Sequence, residues 1–152
     1  MNKEQKYQNL LNSIESLIDG ESDVISIMST IACELYHNFD HFNWVGFYRL
    51  INNNLLKVGP YQGTHGCLTI KIGEGVCGKC ASENKVQIEN DVSRILHHIA
   101  CSPTTKSEIV VPVVNNIKQL SAVLDIDSIK LDSFNLIDER YLKMICNKIY
   151  LN

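Results

Sequence analysis

Six cysteines stand in this chain, at positions 33, 67, 77, 80, 101 and 146, and four of them share a stretch that also holds His65, His97 and His98. Metal binding and thiol redox chemistry both use such a set. Cys77-Gly-Lys-Cys80 has the spacing of a zinc-ligand pair, but a closed tetrahedral site usually takes a second close pair, and Cys67 and Cys101 stand singly on either side. The three histidines could complete a site, so zinc stays open. A thioredoxin-type reading of the same Cys-x-x-Cys requires a parallel βαβ context. Its neighbours here read as antiparallel hairpins. The redox alternative needs one activated thiolate and a second thiol able to reach it, because a thiol that takes an oxygen becomes a sulfenic acid that a neighbour condenses to a disulfide. By local sequence Cys101 is the best-placed thiolate, since His97, His98 and Lys106 bring positive charge or donors near it. Cys33 and Cys146 lie among apolar residues in helical patterns and read as small core residues.

The elements that must carry these residues follow from periodicity. Leu10, Leu11, Ile14 and Leu17 recur at helical spacing over about Glu4 to Leu17, and a second helical run spans Val24 to Tyr36 after Gly20, with Ser22 or Asp23 as its cap. From Asn43 the pattern turns aromatic and β-branched, then breaks at Asn52-Asn53-Asn54 before a second apolar run, which predicts a β-hairpin. A short strand at Leu68 to Ile72, a short helix at about Val76 to Glu83 and a strand at Val86 to Ile88 follow. Glu89 to Lys106 reads as a loop. A second hairpin turns at Asn115-Asn116, and a helix from about Asp138 to Tyr150 closes the chain. The predicted class is α+β: a mostly antiparallel sheet with N- and C-terminal helices packed on one face. One domain is expected over 1–152, with helices in 1–40, sheet and site loops in 43–128, and a helix in 134–152.

Composition excludes several function classes. Fourteen Lys and Arg against seventeen Asp and Glu give a net charge of −3 without a basic run, so nothing marks a phosphate-backbone surface. The apolar runs are strand-length, far short of the ~20 residues of a membrane span. The N-terminus is amphipathic and has no small-residue cleavage site, which points to the cytoplasm, where thiols are kept reduced.

Six segments occur in one order: NWVGFY (Asn43 to Tyr48), GPYQG (Gly59 to Gly63), GEGVCG (Gly73 to Gly78), HIAC (His98 to Cys101), SEIVVP (Ser107 to Pro112) and VLDIDS (Val123 to Ser128). In these the chain resembles the free methionine-(R)-sulfoxide reductases, which have the GAF fold. The resemblance implies that Cys101 attacks the sulfoxide sulfur and that Cys67 captures the resulting sulfenic acid as a disulfide. Cys77 would be the alternative or second resolving thiol. It further implies recycling by thioredoxin or a similar dithiol, no metal or organic cofactor, a homodimer and a part in oxidative-stress defence. Glu108, Asp125 and Asp127 match the family's acidic pocket. The two aspartates, two apart on a strand, share one face, and crowding would keep at least one carboxyl protonated to donate to the sulfoxide oxygen. A carboxylate there would also pair with the ammonium of a free amino acid. Trp44 and Tyr48, four apart on one strand face, would wall the thioether. The chain departs from the family's usual pattern at Ser102-Pro103, in the SRILHH loop, and at Cys80, an extra thiol that either competes as a resolving cysteine or is buried on a helix face. Two other readings share these residues: a GAF-type ligand-binding or sensory module, and a zinc-binding structural protein.

Overall fold

The computed structural model describes residues 1–96 and 101–151. Two helices come first, α1 (Lys3–Leu17) and α2 (Val24–Asn38). Asn2 and Gln5 form a capping box at α1, and Asp23, rather than Ser22, caps α2 by accepting from the Ser26 amide. Then follow β1 (Phe42–Ile51), β2 (Leu55–Gly63), β3 (Thr69–Lys71), α3 (Gly75–Glu83), β4 (Gln87–Glu89), β5 (Ser107–Val114), β6 (Leu120–Ser128) and α4 (Leu136–Asn147). The expected loop from residue 89 to 106 contains a 3₁₀ turn at Val92–Arg94, where Asp91 accepts from the Ser93 amide.

The six strands form one sheet in the order β3-β2-β1-β6-β5-β4, antiparallel at every pairing. Pro112 lies on β5 beyond the last residue paired with β4, so that edge has no strand for its missing N–H to serve.

Alternation along the strands divides the sheet into two faces. Val45, Phe47, Ile109, Val111, Leu124 and Ile126 point to a core closed by α1, α2 and α4. Trp44, Tyr48, Val110 and Val123 point the other way, and α3 covers them with Val76, Cys77, Cys80 and Ala81. The N- and C-terminal helices share one face as expected, and the short inserted helix α3 covers the other. The central strands are buried on both sides, so the second face also needs a cover. Cys146 is core, as expected. Cys33 is not, because the buried stripe of α2 runs through Ile27, Met28, Ile31, Ala32 and Leu35 and leaves it half-buried, its Sγ 3.6 Å from His37 Nδ1. None of the described helices is long and apolar enough to cross a membrane.

Candidate active site

The face under α3 acquires its chemistry from strand register. Glu108 on β5 pairs with Asp127 on β6, which pairs on its other side with Trp44 on β1; one step on, Val110, Asp125 and Gly46 form the next row. Residues two apart on a strand share a face, so three carboxyls and two aromatics converge there. Tyr48, Cys77, Cys101, Glu108, Asp125 and Asp127 all line one cavity of about 20 Å³, which abuts the first residues of α3.

Trp44 is placed differently from Tyr48. Its indole stacks against Tyr48 (5.6 Å between ring centroids) and Tyr61 (5.3 Å), and its Nε1 donates to the Thr64 carbonyl. It backs Tyr48 and does not itself line the cavity. Gly46 makes this possible, since a Cβ there would lie 2.5 Å from the indole Cη2 and 2.4 Å from Tyr61 Cβ.

Glu108, Asp125 and Asp127 are 5%, 6% and 8% exposed. Burial, the largest cause for each, pushes all three well above the usual carboxyl range. The charge of Asp127 adds to the rise at Glu108, that of Glu108 at Asp125, and that of Asp125 at Asp127. The Glu108 and Asp125 carboxyls face each other, and their contact raises Asp125 further while it lowers Glu108. Thr105 donates to Asp127 and partly offsets its rise. Asp125 Oδ1 is buried with no hydrogen-bond partner among the described residues. Among the described residues no Lys, Arg or His lines the cavity. The arrangement can therefore donate protons from neutral carboxyls, and when ionised it attracts a cation.

The cysteines separate by position. Cys67 and Cys101 form a disulfide, with Cα atoms 5.7 Å apart. Cys77 is buried with its Sγ 4.0 Å from Glu108 Oε1, and burial followed by the charges of Asp125 and Glu108 raises its thiol well above the ordinary value. Cys80 is buried on α3, turned away to the Val110 carbonyl at 3.6 Å. The set within metal-binding reach among the described residues is Cys77, Glu108 and Asp125, not the Cys77/Cys80 pair that spacing suggested. His97 and His98 lie outside the described residues.

One positioning residue escaped the sequence reading. Asn43, beside Trp44 at the head of β1, directs its Nδ2 toward the hydroxyls of Ser102 (3.4 Å), Thr104 (3.3 Å) and Thr105 (3.2 Å). Its contacts tie β1 to the loop behind Cys101, and Thr105 carries the connection on to Asp127. Only its place in NWVGFY marked it.

No protein-family model matches the chain. It is 37% identical over 155 residues to the free methionine-R-sulfoxide reductase of Saccharomyces cerevisiae, covering 98% of this chain and 86% of that one. The chain belongs to the free methionine-R-sulfoxide reductase family. Members of this family are oxidoreductases acting on sulfur. A GAF domain-containing protein A of Dictyostelium discoideum is 43% identical over 143 residues, 94% of this chain and 89% of that one. The X-ray structure of the reductase from Neisseria meningitidis in complex with its substrate superposes with a TM-score of 0.93 at 33% identity, covering 98% of this chain and 89% of that one. The curled antiparallel sheet with helices at both ends is accordingly the GAF fold.

Proposed function

We propose that this chain reduces free methionine-(R)-sulfoxide to methionine. The observation that carries the reading is that Cys101 opens onto the same cavity as three buried carboxyls. The Cys101 thiol gives up its proton and its sulfur attacks the sulfoxide sulfur while a neutral carboxyl of the Glu108–Asp125–Asp127 group protonates the sulfoxide oxygen, so an S–S bond forms and the S=O becomes S–OH. The hydroxyl then transfers to the Cys101 sulfur as that S–S bond breaks, leaving Cys101 as a sulfenic acid and releasing methionine. The Cys67 thiol then displaces water from that sulfenic acid, forming the disulfide. A dithiol reduces the disulfide by exchange, so the sum is sulfoxide plus dithiol to methionine, disulfide and water.

The pair Cys67–Cys101, already bonded, supports Cys67 as the resolving thiol. The raised thiol of Cys77, hemmed in by carboxyls, makes it the slower alternative. An ionised carboxylate in a cavity without a described cationic side chain pairs with the substrate ammonium, which a methionine inside a polypeptide lacks. Tyr48, with Trp44 stacked behind it, faces the thioether. Thioredoxin or a similar dithiol as reductant, a homodimer as the assembled form and oxidative-stress defence as the setting come from the family resemblance, and the cytoplasm as compartment from the amphipathic N-terminus.

The test is turnover coupled to thioredoxin on the separated R and S free sulfoxides and on an oxidised protein. Activity is expected on the free R epimer alone. In a single turnover Cys101→Ser should release no methionine, whereas Cys67→Ser should complete one turnover and fail to recycle. Equal methionine release from Cys101→Ser and wild type would overturn the nucleophile assignment.

A further inference from the structure

We propose that the floor of this cavity also binds a thiophilic divalent cation of the zinc class, through Cys77 Sγ and one oxygen each from Glu108 and Asp125. The proposal goes beyond the reductase reading and stands without it. One ligand atom from each of the three residues lies within 4.8 Å of the other two. A tetrahedral zinc centre with a sulfur at ~2.3 Å and an oxygen at ~2.0 Å holds those two donors about 3.5 Å apart. Cys77 Sγ and Glu108 Oε1 stand 4.0 Å apart, so this pair is within about 0.5 Å of that spacing.

A second observation points to an occupant. Asp125 is 6% exposed, lines the cavity, and keeps an oxygen, Oδ1, without a hydrogen-bond partner among the described residues. A buried acceptor left unmatched is costly, and a cation satisfies it. The cavity's free volume of about 20 Å³ suffices for one water-sized ligand, since a water needs roughly 10–15 Å³ by this measure. Three protein donors with a fourth position open to a cavity is the arrangement of accessible rather than closed zinc sites. The thiolate selects the class, because magnesium and calcium take oxygen donors only. On binding, the Cys77 thiol proton and any carboxyl proton leave to solvent, and no electron moves. Cys77 lies outside the Cys67–Cys101 disulfide, so the site is present in the oxidised protein. A metal there holds the same Glu108 and Asp125 oxygens that an ammonium group would use, so it excludes a free amino acid.

The test is titration of the oxidised full-length protein with Cd²⁺, read as ultraviolet thiolate-to-cadmium charge-transfer absorbance. One Cd²⁺ per chain is expected, displaced by Zn²⁺ and indifferent to Mg²⁺. The band should vanish in Cys77→Ser and persist in Cys80→Ser. Glu108→Gln and Asp125→Asn should each weaken binding by about tenfold or more, the scale that even outer partners of a metal ligand reach. Cys33, with His37 beside it, is the competing donor pair. A band that is absent in wild type, that survives Cys77→Ser, or that is lost in Cys33→Ser overturns the proposal. Far-ultraviolet dichroism and Trp44 fluorescence report whether each variant folds. Should Cys77→Ser not fold, Asp125→Asn and Cys33→Ser decide between the two sites.

Discussion

Asn43 Nδ2 lies 3.2 Å from Thr105 Oγ1, and Thr105 in turn donates to Asp127, so one amide links the head of β1, the loop behind Cys101 and a carboxyl of the cavity. Replacing Asn43 by Leu removes that link and leaves Ser102 and Thr104 to bond each other at 3.0 Å. The stability loss should be about 1 kcal/mol, the net worth of a hydrogen bond. The rate loss should be larger, about tenfold or more in kcat with KM little changed, because misplacing a nucleophile by an ångström costs up to ~100-fold. Single-turnover kinetics beside a melting curve make the check; a KM effect alone would contradict it.

Gly46→Ala should disturb the aromatic wall selectively. The new Cβ would meet the Trp44 indole and Tyr61 Cβ well inside van der Waals contact, and overpacking of this kind costs about 1–3 kcal/mol. Trp44 is the only tryptophan in the chain, so its fluorescence reads the displacement directly. An unshifted emission maximum with unchanged Tm would be the contrary result.

The buried carboxyls set a pH dependence of stability. Their folded values are raised well above 4.5 for Glu108 and 3.8 for Asp125 and Asp127, chiefly by burial. A group raised by folding holds its proton more tightly in the native state. Its contribution is complete below the unfolded value and is lost as pH climbs through the folded one. Wild-type stability should therefore fall as pH rises from about 4 upward, the ordinary range of these groups. Asp125→Asn, which cannot ionise, should flatten that slope and melt higher than wild type at alkaline pH while losing activity. Denaturant midpoints across the pH range give the comparison.

Thiol accessibility orders the cysteines. Cys77, Cys80 and Cys146 are buried, and burial raises all three thiols above their ordinary value. In the fully reduced native protein, iodoacetamide should label Cys101, Cys67 and the half-buried Cys33 well before these three. Mass spectrometry of the time course reads it. Early labelling of Cys77 would restore it as a fast resolving thiol.

Much of this was legible in the residues. Helical spacing gave four helices, Asn-rich turns gave two hairpins, and the Asp125-Ile126-Asp127 alternation put two carboxyls on one face, because these signals are local. The fate of α3 was not legible: its apolar stripe resembles that of any amphipathic helix, and which face of the sheet it covers depends on strands that are buried on both sides. Cys33 shows the same limit, since an apolar neighbourhood in sequence does not tell which side of the helix a residue occupies.

The sequence alone therefore determined the inventory: the cysteines, the carboxyls, the aromatic strand and the order of elements that carries them. Only the tertiary structure decided their grouping. It bonded Cys67 to Cys101, set Cys77 among the carboxyls, turned Cys80 away from them, stacked Trp44 behind Tyr48 and tied Asn43 to Thr105. Each of these joins residues on different elements or depends on backbone packing such as the approach of Trp44 over Gly46. Register and face, which a single strand does not encode, fix the distances on which the chemistry depends.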